Sequence, residues 1–131
     1  MCIRLLIPLC LAAVPVFAQT PMSADQFEAY TNGRTLFYGI GGRAYGVERY
    51  LPGRRVIWSF LDGDCRDGIW SEDAGQICFL YEDRVDPQCW TFAETANGLT
   101  ARFEADTDVI ELYEAEDIGE EMLCYGPDVG V

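Results

Sequence analysis

Eight short apolar runs, spaced about ten residues apart with glycine-rich or acidic turns between them, constrain this chain more than any other feature. They are TLFYGI, GVERYL, RVIWSF, DGIWSE, QICFLYE, CWTFAE, LTARFE and VIELYE, with EMLCYG as a less regular ninth. This rhythm predicts a mainly β fold, a single antiparallel meander of about eight strands. The turns agree with it. Leu51-Pro52-Gly53-Arg54 places Pro and Gly at the centre of a type II turn, where φ must be negative and then positive. Asn97-Gly98 is a two-residue hairpin signal. Val56, Trp58, Phe60, Trp70, Phe79, Trp90, Phe92 and Phe103 supply an apolar inner face. One sheet can bury such a face only by curling or by pairing with a second sheet, and a small closed barrel is favoured because closure removes the edges. The tryptophans would read alike in a solid core and in a cavity wall, and a filled core is the expectation.

A short helix should precede the strands. Ser23-Ala24-Asp25-Gln26 has the capping-box pattern, Phe27 and Tyr30 follow, and Asn32-Gly33 closes the segment.

The first eighteen residues have one early charge, Arg4, then an apolar run, then Val16-Phe17-Ala18. They read as a cleaved secretory signal peptide, 1–18, leaving 19–131 as a single disulfide-stapled β domain. Pro8 and Pro15 interrupt a run already short of the roughly 18 apolar residues a membrane span needs, so no stable membrane insertion is expected. The mature chain should then be periplasmic or secreted.

Export makes the cysteine count informative. Cys2 and Cys10 leave with the leader, and Cys65, Cys78, Cys89 and Cys124 remain to form two disulfides. Ile77, Phe79 and Tyr81 alternate with Cys78 and Leu80; after the turn-like DRVDP, Trp90 and Phe92 alternate with Cys89 and Thr91. A hairpin that joins the aromatics also puts both cysteines on one face, so Cys78 can bond Cys89, directly opposed or diagonally. Cys65 would then bond Cys124; the two other connectivities of four cysteines stay open. With no histidine and no C-x-x-C knuckle, neither a metal site nor a cofactor is expected.

The order GDCRDGIW, GQICFLYE, PQCWTF resembles a group of small exported bacterial proteins of unassigned function. They share a G-x-W strand, an I-C-F-x-Y strand and a second cysteine about a dozen residues later. The resemblance spans roughly Ser23 to Phe103 and implies a fold but no activity. More distantly, the layout is similar to calycin-type barrels, among them periplasmic inhibitors of secreted metalloproteases, at the level of fold alone.

Charge narrows the partners. The chain carries 22 acids against nine arginines, no lysine and a formal net charge of −13, which excludes nucleic acid. Five arginines nevertheless fall between Arg34 and Arg55 with only Glu48 among them, whereas ten acids and no base follow Arg102. The two regions read as solvated faces attracting each other, or the arginine segment reads as a contact surface for a protein or anionic partner.

Three motifs have bland readings. Gly39-Ile40-Gly41-Gly42-Arg43-Ala44 contains a G-x-G-x-x-A string but no helix follows it, so it is a strand connection whose glycines leave room for a ligand or partner. Asp62-Gly63-Asp64-Cys65-Arg66-Asp67-Gly68 departs from calcium-loop spacing and reads as a tight acidic turn. Glu72 and Glu82 offer a glycosidase-type pair, yet such pairs arise by chance among so many acids. Lacking His and Lys, with its thiols paired, the chain is not expected to be an enzyme. The expectation is an exported, monomeric, non-catalytic binding module, contacting its partner through Arg43, Arg49, Arg54, Arg55, Tyr45 and Tyr50. The alternatives are a small-ligand carrier or a protease-inhibitor-like barrel, with a glycosidase-type enzyme below them.

Overall fold

The computed structural model of the protein describes residues 13, 20–104, 108–116, 122 and 124. The predicted leader, residue 13 apart, and most of EMLCYG lie outside them. Strands β1 (Thr35–Ile40), β2 (Arg43–Leu51), β3 (Arg55–Ser59), β4 (Cys65–Asp73), β5 (Gln76–Tyr81), β6 (Gln88–Thr95), β7 (Gly98–Glu104) and β8 (Val109–Ala115) follow helix α1 (Ala24–Thr31). Each strand pairs antiparallel with the next, and β8 returns to β1, closing an eight-stranded barrel. The repeat of apolar runs therefore gives an up-and-down barrel, and closure leaves no edge strand unpaired.

Turn chemistry fixes the hairpins. Gly41 and Gly42, with φ of 55° and 80°, form the two-residue link between β1 and β2, so the glycine string is a tight turn. Gly53 has the expected positive φ of 77°, and Arg54 after it is also left-handed at 59°. Arg54 is held there by Glu28 at 3.3 Å and by stacking 4.5 Å over the Trp70 ring.

α1 is the predicted helix. Ser23 Oγ accepts from the Gln26 amide, and the Gln26 side chain accepts from the Ser23 amide, completing the capping box. The helix closes one end of the barrel. Phe27, fully buried, enters that end and meets Phe92 at 4.5 Å, Trp70 at 5.1 Å and Tyr50 at 5.6 Å between ring centroids. The Met22 amide donates to the Phe92 carbonyl at 2.7 Å, lacing the segment before the helix to β6.

Both disulfides join the expected pairs, Cys78–Cys89 from strand parity and Cys65–Cys124 as the two cysteines left over. Cys78 and Cys89 are direct register partners with Cα atoms 3.9 Å apart, and Cys65 bonds Cys124 with Cα atoms 5.3 Å apart. Two disulfides fit an oxidising compartment. Among the described residues no helix is long and apolar enough to cross a membrane.

The inner face departs from expectation at its rim. Val56, Trp70, Phe79 and Phe92 are buried, but Phe60 is 42% exposed, because β3 ends at Ser59 and Leu61, at φ 64°, turns the chain away. Trp58, Trp90 and Phe103 are half-buried, and the Trp90 and Phe103 rings pack 5.2 Å apart. The barrel is filled only at the helix end.

Candidate functional site

Away from Phe27 the barrel interior opens into a cavity of about 100 Å³ that reaches solvent. Its walls follow from strand parity. Glu48 on β2 pairs with Trp58 on β3, Trp58 with Arg66 on β4, and Gly68 of β4 with Tyr81 on β5, so all point inward. Trp90 and Phe92 of β6 complete the opposite wall.

Tyr45 reaches the cavity by a different route. Alternation along β2 with Glu48 and Tyr50 inside would place it outside. The β1–β2 register shifts at Tyr38/Gly39, where Tyr38 pairs Gly46 but Gly39 pairs Ala44, leaving Tyr45 as the extra residue. This bulge re-aims its side chain to the mouth, where it packs 5.9 Å from Trp58 and 5.7 Å from Phe60. Gly46 beside it carries no Cβ, and any Cβ there would run into the Trp58 ring.

The polar groups are few and buried. Tyr81 donates its hydroxyl to Glu48 Oε1 at 2.9 Å, and the Tyr38 and Tyr50 hydroxyls bond each other at 2.8 Å. Glu48 is 1% exposed, and its Oε2 has no hydrogen-bond partner. At the mouth Arg66 Nε donates to Asp83 at 2.6 Å while its Nη1 is buried without a partner. Arg84 also lines this rim.

Burial holds Glu48 well above the usual carboxylate range, and the Tyr81 hydroxyl offsets only part of that. Burial likewise raises Tyr38, Tyr50 and Tyr81, so they stay neutral hydroxyls. The unfolded chain releases the Glu48 proton near pH ~4.3, whereas the barrel keeps it to higher pH, so the native state binds more protons in that interval. Stability attributable to Glu48 is present in acid and falls as pH rises through the raised folded value, by up to about 1.4 kcal/mol per pH unit. Urea midpoints of wild type and Glu48→Gln across mildly acid to neutral pH should therefore diverge, the variant holding its stability as pH rises; parallel curves would show Glu48 ionised in the barrel.

Of the residues singled out by sequence, Tyr45 and Tyr50 line this cavity. The arginines do not gather there. Arg43 and Arg55 are exposed near opposite ends of β2, Arg49 is half-buried on the outer face, and Arg54 is tied to α1. Glu72 and Glu82 do not face each other: Glu72 pairs with Ile77 near the far turn of the β4–β5 hairpin, and Glu82 accepts from the Asp67 amide beside the other end. Asp62 Oδ1 accepts from the Asp64 amide at 3.0 Å, closing its own turn, and among the described residues no three acid or cysteine side chains cluster as metal ligands.

Compared with protein-family models, curated proteins and solved structures, the chain matches none. The cavity alone carries the functional argument. Sequence reasoning missed Glu48, which looked like one acid among arginines; its spacing of two from Tyr50 was the signal that both share a face.

Proposed function

We propose that the protein is an exported, non-catalytic carrier or receptor for a small ligand held in the open half of its barrel. The observation that supports this most is the half-satisfied Glu48 carboxyl, buried in an aromatic-walled cavity that reaches solvent. Pockets of this kind combine apolar walls for affinity with a few convergent polar groups for orientation. A closed up-and-down barrel of eight strands is wide enough to hold one small ligand. The similarity of layout to calycin-type barrels supports the same reading at the level of fold. The leader-like segment and the two disulfides support a periplasmic or secreted location.

The test is native mass spectrometry of the protein recovered from its host with disulfides intact. A stoichiometric small-molecule adduct is expected, released on denaturation and lost from Gln88→Trp, which fills the mouth. Recovery without an adduct, with tryptophan fluorescence unmoved by added small amphiphilic molecules, would overturn the reading. Protein contact through Arg43 and Arg55 ranks second and is favoured by their exposure. Charge reversal at Arg43 and Arg55 should then abolish capture of a protein partner.

A further inference from the structure

Among the described residues, two buried side-chain atoms lack a hydrogen-bond partner, Glu48 Oε2 and Arg66 Nη1, and both residues line the cavity. Native interiors keep few such atoms, because leaving a buried polar group unpaired is costly. Here one is a carboxyl oxygen and the other a guanidinium nitrogen. They belong to one register row: Glu48 pairs with Trp58, and Trp58 with Arg66. Two strand spacings, roughly 10 Å between Cα atoms, separate them, within the combined reach of the two side chains and a small molecule between.

Charges of both signs surround them. Arg66 Nε is bound to Asp83 and its guanidinium lies 5.2 Å over the Phe60 ring, which fixes the group while Nη1 stays without a hydrogen-bond partner. Glu48 and Asp83 supply two acids to the lining, and Arg66 and Arg84 two bases. A ligand with only an ammonium would leave Arg66 Nη1 unpartnered, and one with only a carboxylate would leave Glu48 Oε2 so. Resting on the cavity reading above, we infer that the ligand is a small zwitterion. Its ammonium faces Glu48 Oε2, its carboxylate faces Arg66 Nη1 with Arg84 nearby, and its apolar body lies against Tyr45, Trp58 and Trp90.

Binding has a proton balance. Burial favours the protonated Glu48 carboxyl in the empty barrel, and wherever that proton is held, pairing with an ammonium breaks the O–H bond and releases the proton to solvent. Burial raises Tyr38, Tyr50 and Tyr81, so these neighbours of Glu48 stay neutral over the neutral range. Affinity for a zwitterion should accordingly rise with pH until Glu48 is ionised in the free protein.

Isothermal titration of the disulfide-intact protein with four probes of one shape tests this: leucine, isoamylamine, isocaproate and isoamyl alcohol. Leucine should bind at least about tenfold tighter than either singly charged probe, since each of those leaves one charge-assisted bond unmade. Glu48→Gln should reduce leucine to the level of isocaproate, and Arg66→Met to the level of isoamylamine. Far-ultraviolet circular dichroism and the urea midpoint report that each variant is folded. Leucine affinity should rise from acid to neutral pH in wild type and stay flat in Glu48→Gln; a flat wild-type profile would overturn the pairing with Glu48. If isoamylamine, isocaproate or the alcohol matches leucine, the zwitterion is wrong while the ligand cavity stands. If none of the four binds, both fall.

Discussion

Phe27→Ala is expected to lower the unfolding free energy by about 3–5 kcal/mol, the largest loss from any single truncation in this fold. Phe27 is fully buried, and its ring touches Tyr50, Trp70, Phe79 and Phe92, which come from four different strands. Those neighbours are part of a closed ladder, so they cannot collapse into the space left behind. Alanine would also loosen the helix, whose only other buried side chain is Thr31. Urea unfolding should show a lower midpoint, and a loss below about 1 kcal/mol would mean that α1 contributes little to closing the barrel.

The second large effect concerns the cross-links. Replacing Cys65 and Cys124 with serine should cost roughly 4 kcal/mol, and replacing Cys78 and Cys89 roughly 3 kcal/mol, because the longer loop restricts the unfolded chain more. The sequence separations are 59 and 11 residues. A domain of this size has only about 5–15 kcal/mol in hand, so losing both bridges should leave it largely unfolded at body temperature. Thermal unfolding of the two double-serine variants gives the order. If the Cys78–Cys89 variant proves the weaker, clamping of the β5–β6 pair outweighs loop closure.

How much of this was legible in the residues depended on period and parity. The eight runs gave the eight strands because each alternates faces and is bounded by a turn that glycine, proline or acids favour. Parity also led to Cys78 opposite Cys89, since a register that gathers Ile77, Phe79, Trp90 and Phe92 leaves the cysteines nowhere else to point. The cavity was hidden for the same reason the strands were visible. Gly46, Glu48 and Tyr50 alternate with Val47, Arg49 and Leu51, and neither set is clearly the apolar one. Val47 points outward yet is fully buried, in a row with Ser59 and with Cys65, whose disulfide brings Cys124 alongside. A second covered face removes the polar contrast on which inside and outside are told apart. The bulge that turns Tyr45 into the mouth has no local signal beyond Gly39 and Gly46 on either side of it. Only pairing between β1 and β2 reveals it.

The return of β8 to β1 bears on when the cavity comes into being. Seven ladders join strands that follow one another along the chain and can zip as hairpins, but Tyr38 must wait for Glu114 to be made and brought back. That single long-range ladder carries most of the loop-closure entropy, so it sets the pace of folding. Until it forms, the wall holding Leu112 is open and the pocket has no fixed volume. On the carrier reading, a ligand would enter only after β8 has paired with β1, and a ligand added during refolding should speed the last kinetic phase only if it engages the seam before closure.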